Sequence, residues 1–304
     1  MPTVSSVHVN AALTNLAISY KNAELVWDRI FSIVPVAKES DTYFVFNKEE
    51  LQDEDALRAA GAEAREITWD VTTATYTAQE YTLRHLIPDR VISNADVAVR
   101  PEISTTNKLM RKILLGTERR AALLCQDTRN VGTSATPSIK WDGTSPTIEK
   151  DIDTAKDTVR LAAGTEPTSI LLPYKVKNAV KRDSTLRDLI RYTVPGDVLI
   201  RNGELPPILF NLETIIAGAI RNTANEGAAE SLGDVWTDNV LVFYKEPNPG
   251  LEATSYGYTF RVQTPIVKKY RVDTRNGIMI EVGLTQTEKV TSTSCAYILS
   301  DVLS

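Results

Sequence analysis

The sequence is poor in the residues from which most catalytic and metal sites are built. It contains only two histidines, His8 and His85, and two cysteines, Cys125 and Cys295, in 304 residues. These four residues lie far apart in the sequence and do not follow the spacing of zinc ligands. The sequence also lacks the nucleophile-elbow, P-loop, dinucleotide-binding and zinc-protease motifs. We therefore expect a protein that is not an enzyme and that binds no cofactor or metal.

Long apolar runs are a second absence. No run of about 18 apolar residues occurs, so we expect no membrane-spanning helix. The first ten residues, MPTVSSVHVN, lack the basic start and the apolar block of a secretory signal peptide. The two cysteines are interpreted as buried thiols in a reducing compartment, and a disulfide is the less favoured alternative.

Excess positive charge is a third absence. The chain has 34 Lys and Arg against 39 Asp and Glu, for a net charge of −5. General electrostatic attraction to nucleic acid is therefore not expected. Hydrophobic residues make up 42 % of the chain and charged residues 24 %, which is usual for a globular protein with a large core in one elaborate domain or two.

The strongest predicted element is a long amphipathic helix over residues 102–127. At 1.5 Å per residue it is about 39 Å long, well beyond the average helix of about 11–12 residues. Pro101 suits its first turn, and the segment 128–132 suits its end. The apolar residues that fall on one side at helical spacing are Ile103, Met110, Leu114, Ala121 and Leu124.

Most charged residues of this helix are basic. The ordinary interpretation of such a series is a solvated or salt-bridged face, and the alternative is a face turned toward a packaged polyanion. The basic residues are Lys108, Arg111, Lys112, Arg119 and Arg120.

The N-terminal segment has a weak pattern. Residues 1–22 are polar and small, which predicts an arm that is extended or disordered in an isolated subunit. A short helix is predicted over residues 23–33, and Pro35 in the Val-Pro-Val run that follows is expected to end it.

A long hairpin with an elaborated tip is predicted between residues 37 and 80. The run YFVF at 43–46 indicates one strand, and the alternation of Ile67, Trp69 and Val71 with polar residues indicates the return strand. The intervening stretch, residues 47–66, is charged and rich in alanine, and is interpreted either as a mobile surface loop or as an arm that reaches a neighbour. The candidate inter-subunit contact residues are Lys48, Glu49, Glu50, Asp53, Asp55, Arg58 and Arg65.

The remaining chain mixes helices with mostly antiparallel strands, which indicates the α+β class. The last 50 residues are rich in strands, and Asn276-Gly277 indicates a hairpin turn between two of them. The other predicted elements are a linker over 128–146, a helix over 147–163 that ends at Gly164, strands over 169–173, 205–210, 214–219 and 238–244, and one or two short helices over 174–192.

In the number and order of these segments the chain resembles the major capsid proteins of tailed bacteriophages, which have the Hong Kong 97 fold. The resemblance extends over nearly the whole chain, although no single motif is diagnostic. It is carried by LTNLAISYKN (13–22), SIVPVAKESDTYFVFNKEEL (32–51), EYTLRHLIPDRVISNAD (80–96), TTNKLMRKILLGTERRAALL (105–124), SPTIEKDIDTAKDTVRLAAGTEPTSILLPYKVKNAVKR (145–182), IIAGAIRNTANEG (215–227), DVWTDNVLVFYKEPNPG (234–250) and SYGYTFRV (255–262).

The resemblance implies a division of the chain into five parts. They are an N-terminal arm with a short helix (1–36), the E-loop (37–80), the P domain (81–144, with the spine helix at 102–127), the A domain (145–254) and C-terminal strands that return to the P domain (255–304).

The resemblance also implies a shell subunit whose hexamers and pentamers tile an icosahedral head around double-stranded DNA, without sequence-specific binding. The E-loop would lie over the adjacent subunit, and the protein would be found in the virion after assembly in the host cytoplasm. Scaffold, portal and decoration proteins are further partners that the resemblance leaves open. Lys38 and Lys48 lie in the E-loop stretch, but no set of lysine, asparagine and glutamate matches the family's isopeptide cross-link.

Two alternatives stay open on the sequence. An encapsulin-like nanocompartment shell would share the fold and enclose a cargo enzyme instead of a genome. A hydrolase or binding enzyme with an unrecognised site is more remote, because no nucleophile, base or metal set is clustered in the sequence. A cleft with strongly shifted ionisable groups would favour that second alternative.

Overall fold

A computed structural model shows two large sheets, which one long helix connects, and two smaller pairs of strands, β3 with β4 and β10 with β11. The structure describes residues 8–9, 11–19, 24–46, 53, 57–58, 61, 63–64, 66, 71–94, 100–191, 205–224, 227–250 and 254–304. The helices are α1 (Ala11–Ser19), α2 (Trp27–Ile30), α3 (Asp89–Ser93), α4 (Pro101–Gln126), α5 (Ile148–Ala163), α6 (Tyr174–Arg182) and α7 (Ser184–Arg191).

The strands range from 2 to 16 residues, and together with the helices they confirm the α+β class. In chain order they are β1 (His8–Val9), β2 (Ser32–Pro35), β3 (Ser40–Phe46), β4 (Val71–Thr77), β5 (Gln79–Pro88), β6 (Thr133–Ala135), β7 (Ser169–Pro173), β8 (Ile208–Leu209), β9 (Leu212–Ala217), β10 (Ile220–Asn222), β11 (Leu232–Asp234), β12 (Val240–Phe243), β13 (Gly257–Val272), β14 (Gly277–Val290) and β15 (Ala296–Leu299).

The predicted long helix is confirmed as α4. Pro101 occupies its first turn, where the missing backbone N–H has no partner to lose. Asp127 has an extended backbone and ends the helix. Of the predicted apolar stripe, Met110, Leu114 and Ala121 are buried. This stripe packs α4 against the first sheet.

The first sheet is built on the antiparallel pair β13 and β14, and β5 pairs with β14 along its whole length. The far edge of β13 carries β1, antiparallel, and β2, parallel. The register of β13 with β14 shifts between Arg261 and Ile266. Pro265 lies in this interval and has no N–H for the ladder, so the irregularity follows from the sequence.

The second sheet has the strand order β6-β15-β12-β7-β9-β8 and separates two cores. Along β7, Ile170 and Leu172 contact the core under α5, α6 and α7, whereas Leu171 contacts the core around α4. Side chains of a strand alternate between faces, so a strand with both faces covered is buried throughout. All residues of β7, β12 and β15 are buried accordingly.

The amphipathic helix predicted over 147–163 is confirmed as α5. Its apolar residues Ile148, Ile152, Ala155 and Val159 are all buried. Gly164 follows the helix with φ of 75° and donates its N–H to the carbonyl oxygen of Arg160. This left-handed position favours glycine, as expected for a helix C-terminus.

The prediction of an extended or disordered arm is wrong for residues 11–19, which form the helix α1, whereas His8–Val9 are extended in β1. Leu13 and Ala17 are buried, four residues apart on one side of α1. The hydroxyl of Thr14 accepts a hydrogen bond from the backbone N–H of Val267 at 3.2 Å. Packing against α4 and β13 therefore stabilises a helix that the weak sequence pattern did not predict.

The helix predicted over 23–33 is also largely wrong. Within residues 24–33, the described part of that range, only Trp27–Ile30 are helical, and Ser32–Pro35 form β2. The β-branched Ile33 and Val34 lie in this strand and pair with Thr259 and Phe260 of β13. The tertiary pairing therefore overrides the helical pattern, and β-branched residues favour that outcome.

Three further segments add detail to the predictions. The linker predicted over 128–146 contains β6, parallel to β15, and the buried Trp141. The hairpin between β13 and β14 turns through a 3-10 helix at Asp273–Arg275, and Asn276 takes the left-handed conformation before Gly277. The final strand β15 lies in the second sheet, so the segment 255–304 contributes to both sheets.

Candidate functional site

The strands β3 and β4 form a two-stranded hairpin that extends beyond the first sheet. They pair antiparallel from Ser40 opposite Thr77 to Phe46 opposite Val71, which confirms the strand predicted at 43–46. Of the residues that predicted the return strand, Val71 lies in β4, and Ile67 and Trp69 lie outside the described residues. Most of its described side chains are exposed, whereas Tyr76 near the base is buried. A hairpin that is buried only at its base has its remaining surface available for another molecule.

An aromatic cluster fixes the base of this hairpin. The ring of Tyr76 stacks on Phe260 of β13 with 4.4 Å between centroids, and Tyr43 lies 5.4 Å from the same ring. The hydroxyl of Tyr76 donates a hydrogen bond to the carbonyl oxygen of Lys38 at 3.2 Å. Both strands of the hairpin are therefore attached to β13 through side chains that lose little further freedom on binding.

A groove of about 430 Å³ lies beside this base. It runs between β3, the end of β2 and the first residues of β13, and its lining includes Val34, Tyr43, Tyr258 and Phe260. Phe44 of β3 is 49 % exposed. Within the described ranges β3 pairs only with β4, so its other edge offers backbone N–H and C=O groups to an added extended segment.

A second anchor connects the hairpin to α4 through β5. The Arg120 guanidinium lies 3.7 Å from the ring centroid of Tyr81 in β5. It also forms a salt bridge of 2.8 Å with Glu288 of β14, whose side chain is nearly buried. Gln286 donates a hydrogen bond to Glu288 at 2.8 Å and completes the network. The strand β5, which follows the hairpin in the chain, is therefore fixed to the long helix.

Glu118 is a buried carboxylate at the junction of three segments. Its side chain, on α4, accepts hydrogen bonds from the backbone N–H groups of Val26 (3.0 Å) and Trp27 (2.9 Å) and from the indole N–H of Trp236 (2.7 Å). Burial raises the pKa of Glu118 to about 7, although the three donors act in the opposite direction. The carboxylate holds α2 and the segment before β12 against the long helix.

The sequence-predicted contact residues are only partly described. Asp53 and Arg58 lie between the two hairpin strands and are exposed. The other predicted contact residues, which lie outside the described residues, are Lys48, Glu49, Glu50, Asp55 and Arg65.

Neither the aromatic base nor the role of Glu118 was predicted from the sequence. The signal for Glu118 was present, since it is a lone acidic residue between Leu114 and Ala121 of the apolar stripe. The aromatic base had no such signal, because it combines residues from strands more than 180 positions apart, Tyr76 and Phe260 among them.

The ionisable groups along the groove do not form a catalytic set. The pKa of Asp41 is lowered by the N–H of Thr42 and by Lys38, and burial raises the pKa of Tyr43, Tyr76 and Tyr258. None of these shifts brings an acid or a base toward neutral pH. Among the described residues no group of three or more His, Cys, Asp or Glu could hold a metal ion.

The two cysteines are buried thiols. Cys125 and Cys295 are both buried, and no disulfide joins them. Burial raises the pKa of the Cys125 thiol well above its usual range, which suppresses thiolate reactivity.

No helix in the described residues is both long and apolar enough to cross a membrane.

Comparison of the sequence with known proteins finds relatives over the whole chain. No family model matches. The chain is 25 % identical over 304 residues to the major capsid protein of Burkholderia phage BcepMu, covering 96 % of this chain and 93 % of that protein. It is 22 % identical over 309 residues to the major capsid protein of Pseudomonas phage JBD67, covering 97 % of each.

Solved structures share the fold. A phage-related protein from Bordetella bronchiseptica matches with a TM-score of 0.72 and 21 % identity, over 97 % of this chain and 98 % of that one. The capsid of cyanophage P-SCSP1u matches with a TM-score of 0.60 and 11 % identity, over 98 % and 92 %. A virus-like particle from Pyrococcus furiosus matches with a TM-score of 0.54 and 10 % identity, over 95 % and 96 %.

Proposed function

We propose that this chain, a member of the phage major capsid family with the Hong Kong 97 type of fold, builds the shell of a bacteriophage head from many copies of itself. The observation that carries the proposal is similarity over almost the full length of two phage major capsid proteins. The similarity in sequence and the capsid-type fold agree with each other, and together they favour a structural subunit over an enzyme.

The finer form of the proposal concerns assembly. Hexamers and pentamers of the subunit tile an icosahedral shell around double-stranded DNA, and each interface is modest until the shell closes. We assign residues 37–80 to the E-loop, 81–144 to the P domain and 145–254 to the A domain. The arm at 1–36 and the strands in 255–304 complete the subunit. Scaffold, portal and decoration proteins are the further partners of this assembly.

The hairpin is the part of the subunit that best fits contact with a neighbour. Its base is fixed by Tyr76 and Phe260, and Arg120 fixes the strand β5 that follows it, so the hairpin is pre-organised. Pre-organisation lowers the entropic cost of forming an interface. Asp53 and Arg58 are exposed on the segment between its strands, which supports the proposal that charged residues of this segment contact the adjacent subunit.

A nanocompartment shell is the second candidate. It is favoured by one observation, the shared fold with a virus-like particle from Pyrococcus furiosus. The sequence relatives are phage major capsid proteins, which favours the phage shell. The contents of purified particles distinguish the two, since a phage head holds DNA and a nanocompartment holds a cargo protein.

The test is electron microscopy of the full chain expressed alone, with size-exclusion chromatography of the same sample. We expect closed shells or tubes of uniform curvature. A matched pair of variants makes the test specific: deletion of residues 49–65, and replacement of that stretch by a Gly/Ser linker of equal length. We expect both variants to fold and to form no stable shells, because the stretch has few apolar residues for the core. Normal shells from either variant would refute the assigned role of the hairpin.

A further inference from the structure

The outer face of α4 carries four exposed cations. Lys108, Arg111, Lys112 and Arg119 are exposed, whereas the opposite side of the helix is buried against the first sheet. At 100° per residue these four side chains fall within about one third of the helix circumference. We call them the α4 basic stripe.

No carboxylate in the described residues pairs with these cations. Within the part of the chain that the structure describes, no salt bridge involves any of the four, whereas Arg120 on the same helix is paired with Glu288. The two acidic residues of α4 are engaged elsewhere: Glu102 binds Lys269 at 2.7 Å, and Glu118 is buried among its three N–H donors. The stripe is therefore a local excess of four positive charges on a chain of net charge −5.

The dimensions of the stripe match a nucleic-acid backbone. From Lys108 to Arg119 the helix axis rises about 16 Å. Duplex DNA carries roughly one negative charge per 1.7 Å of its axis, so several phosphates lie within reach of one stripe. At about 0.1 M salt, charges beyond about 10 Å are largely screened. The acidic remainder of the chain therefore does not cancel the attraction close to the helix.

We infer that the α4 basic stripe binds the phosphate backbone of double-stranded DNA and marks the inner surface of the shell. The inference rests on the proposed function, and it names the surface that meets the genome. Contacts are to phosphates, so binding is independent of base sequence. An extended lattice of such stripes neutralises part of the charge of tightly packed DNA.

The positions beside the four cations carry little bulk that would keep a duplex away from the helix. Leu115, between the cations, is half-buried, and Gly116 has no side chain. A rigid helix with cations on long flexible stems can follow a duplex without a fixed register. An acidic protein segment would satisfy the same charges, and the experiment below separates that occupant from DNA.

The test uses the unassembled full chain and a fluorescent duplex of about 30 base pairs of random sequence, read by anisotropy from 0.05 to 0.3 M salt. The stripe variant carries Lys108→Gln, Arg111→Gln, Lys112→Gln and Arg119→Gln. The control variant removes four exposed cations from the helices α5, α6 and α7. Its substitutions are Lys150→Gln, Lys175→Gln, Arg182→Gln and Arg187→Gln. Both variants lose four charges, so net charge alone affects them equally.

We expect the wild-type chain and the control to bind the duplex, and the stripe variant to bind at least about tenfold more weakly at 0.1 M salt. The slope of log K against log salt should shrink by up to about 3.6, at 0.9 per phosphate contact. A version with Lys108→Arg and Lys112→Arg should bind like wild type. Equal losses in stripe and control variants, or a wild-type chain that prefers poly-glutamate to the duplex, would overturn the inference.

Shell formation is scored separately on the same proteins. The stripe variant should form the same shells as wild type, because the inference places the stripe on the inner surface and not between subunits. Absence of shells from wild type and variants alike counts against the proposed function, whereas the duplex titration still decides the inference.

Discussion

The buried carboxylate of Glu118 makes the stability of the subunit depend on pH in an unusual direction. Its pKa rises from 4.5 to about 7 in the folded chain because burial disfavours the ionised form. The folded state then holds a proton that the unfolded state has released. Stability from this group is therefore full below about pH 4.5, is lost as pH rises to about 7, and is level above that.

The magnitude follows from the same shift. One pKa unit corresponds to 1.36 kcal/mol, so the change from 4.5 to about 7 is worth about 3 kcal/mol. Glu118→Gln removes the titration and should give a free energy of unfolding that varies less between pH 5 and pH 8. The amide keeps one acceptor oxygen for three N–H donors, so the variant should also be less stable at pH 5, by about 1–3 kcal/mol.

The assay is urea denaturation of the unassembled full chain at pH 5, 6, 7 and 8, with the exposed Glu149→Gln as control. The lowered pKa values of Asp41, Asp127 and Asp142 affect stability only at lower pH, so they do not disturb this window. The control should follow the wild-type profile. The reasoning fails if Glu118→Gln and wild type show parallel profiles, or if the wild type alone gains stability between pH 5 and 7.

Two further substitutions test the packing of the subunit. Leu114→Asp places a charge on the buried side of α4 and should prevent folding; a far-UV melting curve equal to wild type would refute the phase of the helix. Gly257→Ala places a methyl group against the ring of Phe31 and within 2.6 Å of the carbonyl oxygen of Lys289. It should destabilise the chain by about 1–3 kcal/mol, and an unchanged midpoint of urea unfolding would contradict the close packing at the start of β13.

The sequence predicted those elements whose pattern is long and self-contained. The helix α4 repeats its apolar stripe over 26 residues, and α5 ends at a glycine, so both were predictable. The strands β2 and β6 are short, with 4 and 3 residues, and exist because a partner strand lies beside them. The partner strand lies far away in the sequence, so a local pattern could not predict β2 or β6. Tertiary pairing determines both strands.

At the candidate site, too, local patterns were predictable and contacts between distant segments were not. The aromatic run at 43–46 was enough to predict the first strand of the hairpin, which the structure gives as β3. The groove at its base was not predictable, because its lining combines segments around positions 34, 43 and 258. The basic residues of α4 were visible as a series, but only the fold shows that Arg120 is paired with Glu288 and that the other four point away from the sheet.

The place of β15 has a consequence for how a new subunit matures. This strand, Ala296–Leu299, lies between β6 and β12, and its residues are all buried. Because β15 is the last strand of this sheet to be made, a nascent chain cannot complete the second sheet until β15 has left the ribosome. A product that stops at residue 295 lacks β15, so β6 and β12 lose the strand between them. We therefore expect translation products that stop before β15 to fail in folding, which keeps incomplete subunits out of the shell.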